Sequence, residues 1–275
     1  MIGTGQAVVL GIVEGLTEFL PVSSTGHLKI AEGLMHIPVD DAAVVAFTAV
    51  IQAGAIIAVL VYFFGDIVRF VAAWWHGIRN PDARDHDYRF AWWVIFGTLP
   101  VVLAGLAFQS LIKGLLASLW VVAGALIVGS ALMWAAEHIG TQKRGEDDTS
   151  LTDVMLVGSS QILALLFPGF SRSGATISIA LIRNLDRVAA TRLSFFLSIP
   201  ALTGAGIYEL KDALGGRLDV LPLLAGSAVS FVVAYASIAW LLKYVAKHTF
   251  NAFIVYRTIS GVALLGLLAA GLVGA

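Results

Sequence analysis

The sequence predicts an all-α polytopic membrane protein. It reads as an inverted-topology repeat with six full transmembrane spans plus two re-entrant helix pairs, about ten membrane helices in all. Three observations carry this reading. Hydrophobic residues make up 59% of the 275 residues and charged residues only 13%, where soluble domains carry about a quarter charged. Six apolar stretches reach the roughly 20 residues that a spanning helix needs. Shorter apolar segments fall into two pairs, each broken by proline and by glycine or serine.

Taken in order, Gly3–Leu20 and Thr25–Met35 form the first broken pair. Ala42–Phe64 is the first span. Gly65–His76 is amphipathic and reads as an interfacial helix, with Trp74 and Trp75 at the headgroup level. Tyr88–Ile112 and Ser118–Glu137 are the next spans. Leu151–Phe167 and Gly174–Ile182 form the second broken pair, followed by Thr191–Leu210, Val220–Val245 and Ala252–Val273. Asn80–Asp87 and the acidic run Glu146-Asp-Asp148 read as solvated loops.

The breaks repeat. Gln6–Pro21 overlies Asp153–Pro168 without a gap, placing Gly11 on Gly158, Glu14 on Gln161, Leu16 on Leu163 and Pro21 on Pro168. With one inserted residue, Ser23-Ser24-Thr25-Gly26 falls on Ser171-Arg172-Ser173-Gly174. Residues 1–145 and 146–275 are then two repeats within one membrane domain. If each hairpin returns to its own side, three crossings separate them. An odd number of crossings inverts the second hairpin, which brings the broken segments together near the midplane.

The basic residues orient this topology. Arg69, Arg79, Arg84, Arg89, Lys143, Arg144, Arg183, Arg187, Arg192, Lys243 and Lys247 fall on one side, and only Lys29, Lys113, Lys211 and Arg217 on the other. The richer side is expected to be cytoplasmic. Both termini and the ends of the first hairpin then lie outside.

Composition also excludes several classes. A net charge of −1 without a basic stripe gives no sign of a nucleic-acid partner. The chain has no Cys, so it has no disulfide framework, thiolate nucleophile or Cys-ligated metal. Met1–Gln6 carries no positive charge ahead of the apolar run, so a cleaved signal peptide is not expected.

The candidate chemistry lies at the breaks. Glu14 and Glu18 are four apart and share a helix face. Like charges at that spacing need a bridging cation or a shared proton. Mg²⁺ or Ca²⁺ suits paired carboxylates. A solvated vestibule and a proton-coupled transport site are the other readings. Pro21 then breaks the helix, and Ser23, Ser24, Thr25 and Gly26 can present hydroxyls and amides to an anion, or only cap the next helix. His27 follows as a candidate nucleophile or general acid–base. In the second break Arg172 stands between Ser171 and Ser173, with Gly169, Gly174 and Thr176 nearby. A guanidinium fixed in such a turn is a phosphate clamp, or else a partner for the glutamates. Gln52, Tyr256 and Arg257 are weaker candidates. Arg257 either pairs with Glu209 or another buried acid, or lines the cavity.

At these residues the chain resembles the undecaprenyl-diphosphate phosphatase family, also called the bacitracin-resistance proteins. The first motif is matched by Glu14, Glu18, Pro21, Ser23, Ser24, Thr25, Gly26 and His27. The second is matched by Pro168, Gly169, Ser171, Arg172, Ser173, Gly174 and Thr176. The resemblance covers essentially the whole chain and shows no departure in either motif. It implies a multi-pass enzyme of the bacterial cytoplasmic (inner) membrane, with its active site open to the periplasmic side. That enzyme removes the terminal phosphate from undecaprenyl diphosphate, returning the lipid carrier used for peptidoglycan synthesis, with a divalent cation as cofactor.

The expected roles follow from residues and resemblance together. Arg172, Ser171, Ser173, Thr176 and Thr25 bind phosphate, and Glu14 and Glu18 hold Mg²⁺ or Ca²⁺. Catalysis falls to His27, Ser24, Glu18 and Arg172, with His27 the first choice for nucleophile or acid–base and Ser24 next. The expected partners are a polyprenyl diphosphate and membrane lipid, and the sequence is compatible with a homodimer. The rival reading is a polyprenyl-phosphate transporter or flippase built on the same repeat.

Overall fold

A computed structural model describes residues 2–39, 41–108, 118–214 and 219–271. Lys113, Arg217 and the expected span ends at Ile112 and Val273 lie outside the described residues, as do the side chains of Glu209 and Lys211. The described residues form eleven α-helices. They are α1 (Thr4–Thr17), α2 (Ser24–Leu34), α3 (Ala42–Tyr62), α4 (Phe64–Arg79), α5 (His86–Ala107) and α6 (Leu119–Ile139), then α7 (Leu151–Leu166), α8 (Arg172–Ile182), α9 (Arg187–Leu214), α10 (Val220–Val245) and α11 (Asn251–Ala269).

Six of these helices are long and apolar enough to cross a membrane: α3, α5, α6, α9, α10 and α11. They coincide with the six predicted spans to within a few residues. Their starts are written in the sequence. The side chains of Asp41, Asp85, Ser118 and Ser150 each accept a hydrogen bond from a backbone N–H in the first turn of α3, α5, α6 and α7. Helix α4 extends the predicted interfacial segment by a turn. Its exposed face carries Phe64, Val68, Val71, Trp75 and Ile78, and Arg79 stacks 3.9 Å from the centre of the Trp75 ring.

The short helices pack across the molecule. Helix α1 lies on α10, and α7 lies on α5. Both crossings depend on glycine. A Cβ on Gly11 would overlap the carbonyl oxygen of Gly226, and one on Gly158 would overlap that of Gly97. Without side chains the backbones approach as closely as in small-residue membrane helix pairs.

One end of the bundle is tied by ion pairs. Arg187 of α9 pairs with Glu137 of α6. Arg192 reaches Glu146 at 2.6 Å and Asp66 at 3.1 Å, and Arg69 reaches Asp87 at 3.2 Å. Asp153, fully buried at the start of α7, accepts from Arg144 at 2.6 Å and from Arg183 at 2.7 Å. Burial pushes the Asp153 carboxyl up, but the hydrogen bonds from Arg144, Ser150 and Arg183 outweigh it and hold the group well below the usual carboxylate range. The two loops expected to be solvated are therefore not simply so: Glu146 and Asp87 are bridgeheads. The reason is that helix ends converge here and bring Arg192 and Arg69 to them.

The glycine crossings give a test. Gly158→Ala should lower the unfolding temperature in detergent, equivalent to roughly 1–3 kcal/mol of overpacking. Gly124→Ala, where an added Cβ meets nothing within 4 Å, should leave it unchanged. Equal melting temperatures for the two variants would contradict the packing described here.

Candidate active site

The two breaks meet. Both are built alike: Ser23 and Ser171 take positive φ angles of 79° and 71°, and each side chain caps the following helix by accepting from Gly26 N or Gly174 N. A non-glycine residue in this region costs about 1–3 kcal/mol, so the turns are held by their surroundings. Three contacts join them. The Arg172 guanidinium lies 3.3 Å from Glu18 Oε1. Ser173 Oγ donates to the Leu20 carbonyl at 3.0 Å. Arg257 donates to the Pro21 carbonyl of the first break at 3.1 Å and to the Phe170 carbonyl of the second at 2.7 Å.

Glu18 is the hinge of the chemistry. Its Oε2 accepts from Ser24 Oγ at 2.5 Å, and its Oε1 faces Arg172. One carboxylate thus orients a hydroxyl and a guanidinium together. Charge-assisted contacts of this kind are short and strong. Glu14 sits one turn below at 1% exposure, and its Oε1 makes no hydrogen bond. The Nη1 of Arg172 is likewise buried and unpaired.

Glu18 and Arg172 face a cavity of about 190 Å³, which neither Glu14 nor His27 lines. Its polar wall includes Glu18, Ser24, Thr25, Gln161, Ser171 and Arg172, and its apolar wall includes Val101, Leu165, Ala201 and Leu202. Gln52 also lines it. Ser173 and Thr176, expected among the phosphate ligands, are placed otherwise. Thr176 is fully buried and its hydroxyl lies 2.6 Å from that of Ser194, while Ser173 joins the breaks; neither lines the cavity.

His27 is engaged at both ring nitrogens. Nδ1 lies 2.7 Å from the Ser23 carbonyl and Nε2 lies 2.6 Å from the Tyr256 hydroxyl. A carbonyl only accepts, so Nδ1 carries the proton and, in the neutral ring, Nε2 accepts from Tyr256. The two rings are also stacked.

Arg257 meets no carboxylate among the described residues. It is fully buried, and its two terminal nitrogens donate to the carbonyls of Pro21, Gly169 and Phe170 and to Met133 sulfur, while Nε makes no hydrogen bond. It is a brace between the breaks and not the buried ion pair that a lone arginine in a span suggests.

Paired carboxylates are hard oxygen donors, which suit Mg²⁺ or Ca²⁺. The orphaned Glu14 Oε1 is an acceptor awaiting a donor or a cation. Among the described residues, no third His, Asp or Glu joins the two glutamates. Glu18 retains lone pairs beyond those used by Ser24 and Arg172.

Fold and site together define a multi-pass, all-helical membrane protein whose broken helices carry a carboxylate, hydroxyls and a guanidinium to one cavity, with a second carboxylate, Glu14, buried beside it. The chain belongs to the family described as bacitracin resistance protein BacA, whose model matches residues 7–263. It is 74% identical over 272 residues to undecaprenyl-diphosphatase 1 of Streptomyces avermitilis, covering 98% of each chain. It is 72% identical over 275 residues to undecaprenyl-diphosphatase 1 of Frankia alni, covering 100% of this chain and 99% of the relative. The corresponding protein of Streptomyces coelicolor is 72% identical over 271 residues, with 98% of each chain covered.

Arg257 yields a prediction. Arg257→Ala leaves carbonyls of both breaks unsatisfied, each costing about 1–3 kcal/mol. Melting temperature in detergent should fall and activity should be lost. Arg257→Lys, which cannot reach both breaks with a planar fork, should recover only part of the stability. A stable, active Arg257→Ala protein would show that the breaks hold without the brace.

Proposed function

We propose that this protein hydrolyses undecaprenyl diphosphate to undecaprenyl phosphate and inorganic phosphate, recycling the lipid carrier of peptidoglycan synthesis and so conferring bacitracin resistance. The observation that carries the reading is Ser24 Oγ held 2.5 Å from Glu18, with Arg172 on the other oxygen of the same carboxylate. A hydroxyl, a proton acceptor and a cation for phosphoryl charge are what a phosphoric anhydride hydrolase needs at one point. A flippase needs no nucleophile.

In this reading Arg172 and Ser171 bind the terminal phosphate at the start of α8, and Thr25 lies at the start of α2 on the facing wall. Ser24 Oγ attacks the terminal phosphorus while Glu18 takes its proton. The bond to the bridging oxygen breaks, and undecaprenyl phosphate leaves as an anion that needs no proton. Water then attacks the phosphoserine phosphorus, the bond to Ser24 Oγ breaks, Glu18 returns the proton to Ser24, and inorganic phosphate leaves with the oxygen and protons of the water. The geometry favours Ser24 over His27 as nucleophile, because both His27 nitrogens are already committed. His27 and Tyr256 instead fix Ser23, the residue next to Ser24.

Glu14 and Glu18 would hold Mg²⁺ or Ca²⁺. When bound, the cation offsets phosphate charge and polarises a phosphoryl oxygen. Charge balance supports it: a diphosphate adds further negative charge to a buried site that already holds two glutamates.

The arrangement of the breaks supports the inverted repeat of residues 1–145 and 146–275. Gln6, His36 and Asp41, near the ends of the first hairpin, line one cavity with Asp219 before α10. The ends of the second hairpin lie in the ion-paired network at the other end of α10, where Phe250 approaches Glu137. The hairpins thus enter as re-entrant pairs from opposite sides. In this reading the basic end faces the cytoplasm of a bacterial inner membrane and the site opens to the periplasm, an orientation that the positive-inside bias supports. The polyprenyl tail would lie along the wall of Val101, Leu165, Ala201 and Leu202.

Purified protein given a polyprenyl diphosphate and Mg²⁺ or Ca²⁺ should release phosphate. Ser24→Ala, Glu18→Gln and Arg172→Ala should each lower kcat by at least about 100-fold while the protein remains folded. No release by the folded wild-type protein would refute the proposal, and near-native rates in all three variants would refute the site.

A further inference from the structure

Gln161 is the residue of the second repeat that stands where Glu14 stands in the first. It is 1% exposed and lies on the cavity wall with Glu18, Ser24 and Arg172. Its Nε2 makes only a long contact of 3.4 Å, to the Gly158 carbonyl in its own helix. Its Oε1 has no hydrogen bond. The amide orientation is fixed by that neighbour, since turning it over would set one carbonyl oxygen against another. The free atom is therefore an acceptor.

A buried acceptor without a donor costs about 1–3 kcal/mol, and such a group in a native protein calls for an explanation. Phosphate oxygens are themselves acceptors, so an unprotonated diphosphate cannot satisfy it. Arg172 holds Glu18 with Nη2, and its buried unpaired nitrogen, Nη1, is taken by the terminal phosphate in the reading above. The second orphaned acceptor of the region, Glu14 Oε1, has the same need. A cation satisfies both.

We infer that Gln161 is a third, neutral oxygen ligand of the divalent cation, completing from the second break a site begun by Glu14 and Glu18 on the first. The inference rests on the cation reading given above and extends it across the two repeats. It accounts for the difference between the copies. A glutamate at 161 would bring a third negative charge next to a diphosphate, whereas an amide adds a donor oxygen without charge. It also supplies an oxygen to a pair of carboxylates that, alone, underfill the six or more positions of Mg²⁺ or Ca²⁺.

The test is binding of Mn²⁺ alone to the full-length purified protein. It is followed by electron paramagnetic resonance, with and without methylenediphosphonate, and each variant is checked by thermal melting. Gln161→Leu, close in size but without donors, should weaken Mn²⁺ binding on the order of 10-fold or more. Gln161→Glu should tighten Mn²⁺ binding several-fold in the absence of the diphosphonate, and weaken retention of the diphosphonate. Glu14→Gln should weaken Mn²⁺ binding and separates the two levels of the reading. If Glu14→Gln loses affinity while both Gln161 variants bind as the wild type does, the Gln161 assignment is overturned and the glutamate site stands. If the wild-type protein binds no Mn²⁺ in either condition, both are overturned. Should Gln161→Leu fail to fold, Gln161→Glu decides: unchanged affinity overturns the assignment.

Discussion

The contact between Glu18 and Arg172 joins two chain breaks 154 residues apart. Each side chain would be untenable without the other. Removing one partner of a buried pair is strongly destabilising, typically by about 3–5 kcal/mol, because a charge is left in low dielectric. The pair is not optimised for stability alone: at 3.3 Å it is looser than a short bidentate bridge, and Arg172 Nη1 is left free. A site proposed to accept an anion would use that slack. The guanidinium can hold the carboxylate and still offer an N–H to a phosphate.

Arg257 shows the opposite use of the same group. It is fully buried among carbonyl oxygens and closes the turns from behind, away from the cavity lining. Two strained serines, one in each turn, depend on that closure. Their positive φ angles aim the hydroxyl of each into the first turn of the next helix, which leaves Ser24 and Arg172 as the first residues of α2 and α8. These two side chains are thus delivered to the cavity by equivalent backbone conformations, in the proposed roles of nucleophile and phosphate ligand.

Much of this was legible in the sequence, for physical reasons that differ by region. The six spans are readable because length and apolar composition suffice to specify a spanning helix. The breaks are readable because Pro21 and Pro168 stop helices that are already too short to cross. Glu18, Ser24 and Arg172 stood out as polar groups at an apolar depth. What the sequence could not give was direction. Ser173 and Thr176 are three apart and so share a helix face, and that face turns to Ser194 and Leu20 instead of the cavity; the spacing was a usable signal. Arg257 offered only the oddity of one cation in a span, with no hint that its partners would be carbonyls. The bridging roles of Glu146 and Asp87 depend on which helix ends converge, which only the folded chain reveals. The pairing of His27 with Tyr256, 229 residues apart, had no local signal at all.

The most direct test is a structure of the protein in lipid with a non-hydrolysable polyprenyl methylenediphosphonate and Mg²⁺. The account predicts the terminal phosphonate between Arg172 and Ser24, within hydrogen-bonding distance of Arg172 Nη1 and in line with Ser24 Oγ. A headgroup seated away from the two breaks, for instance in the cavity lined by Gln6, Asp41 and Asp219, would contradict it.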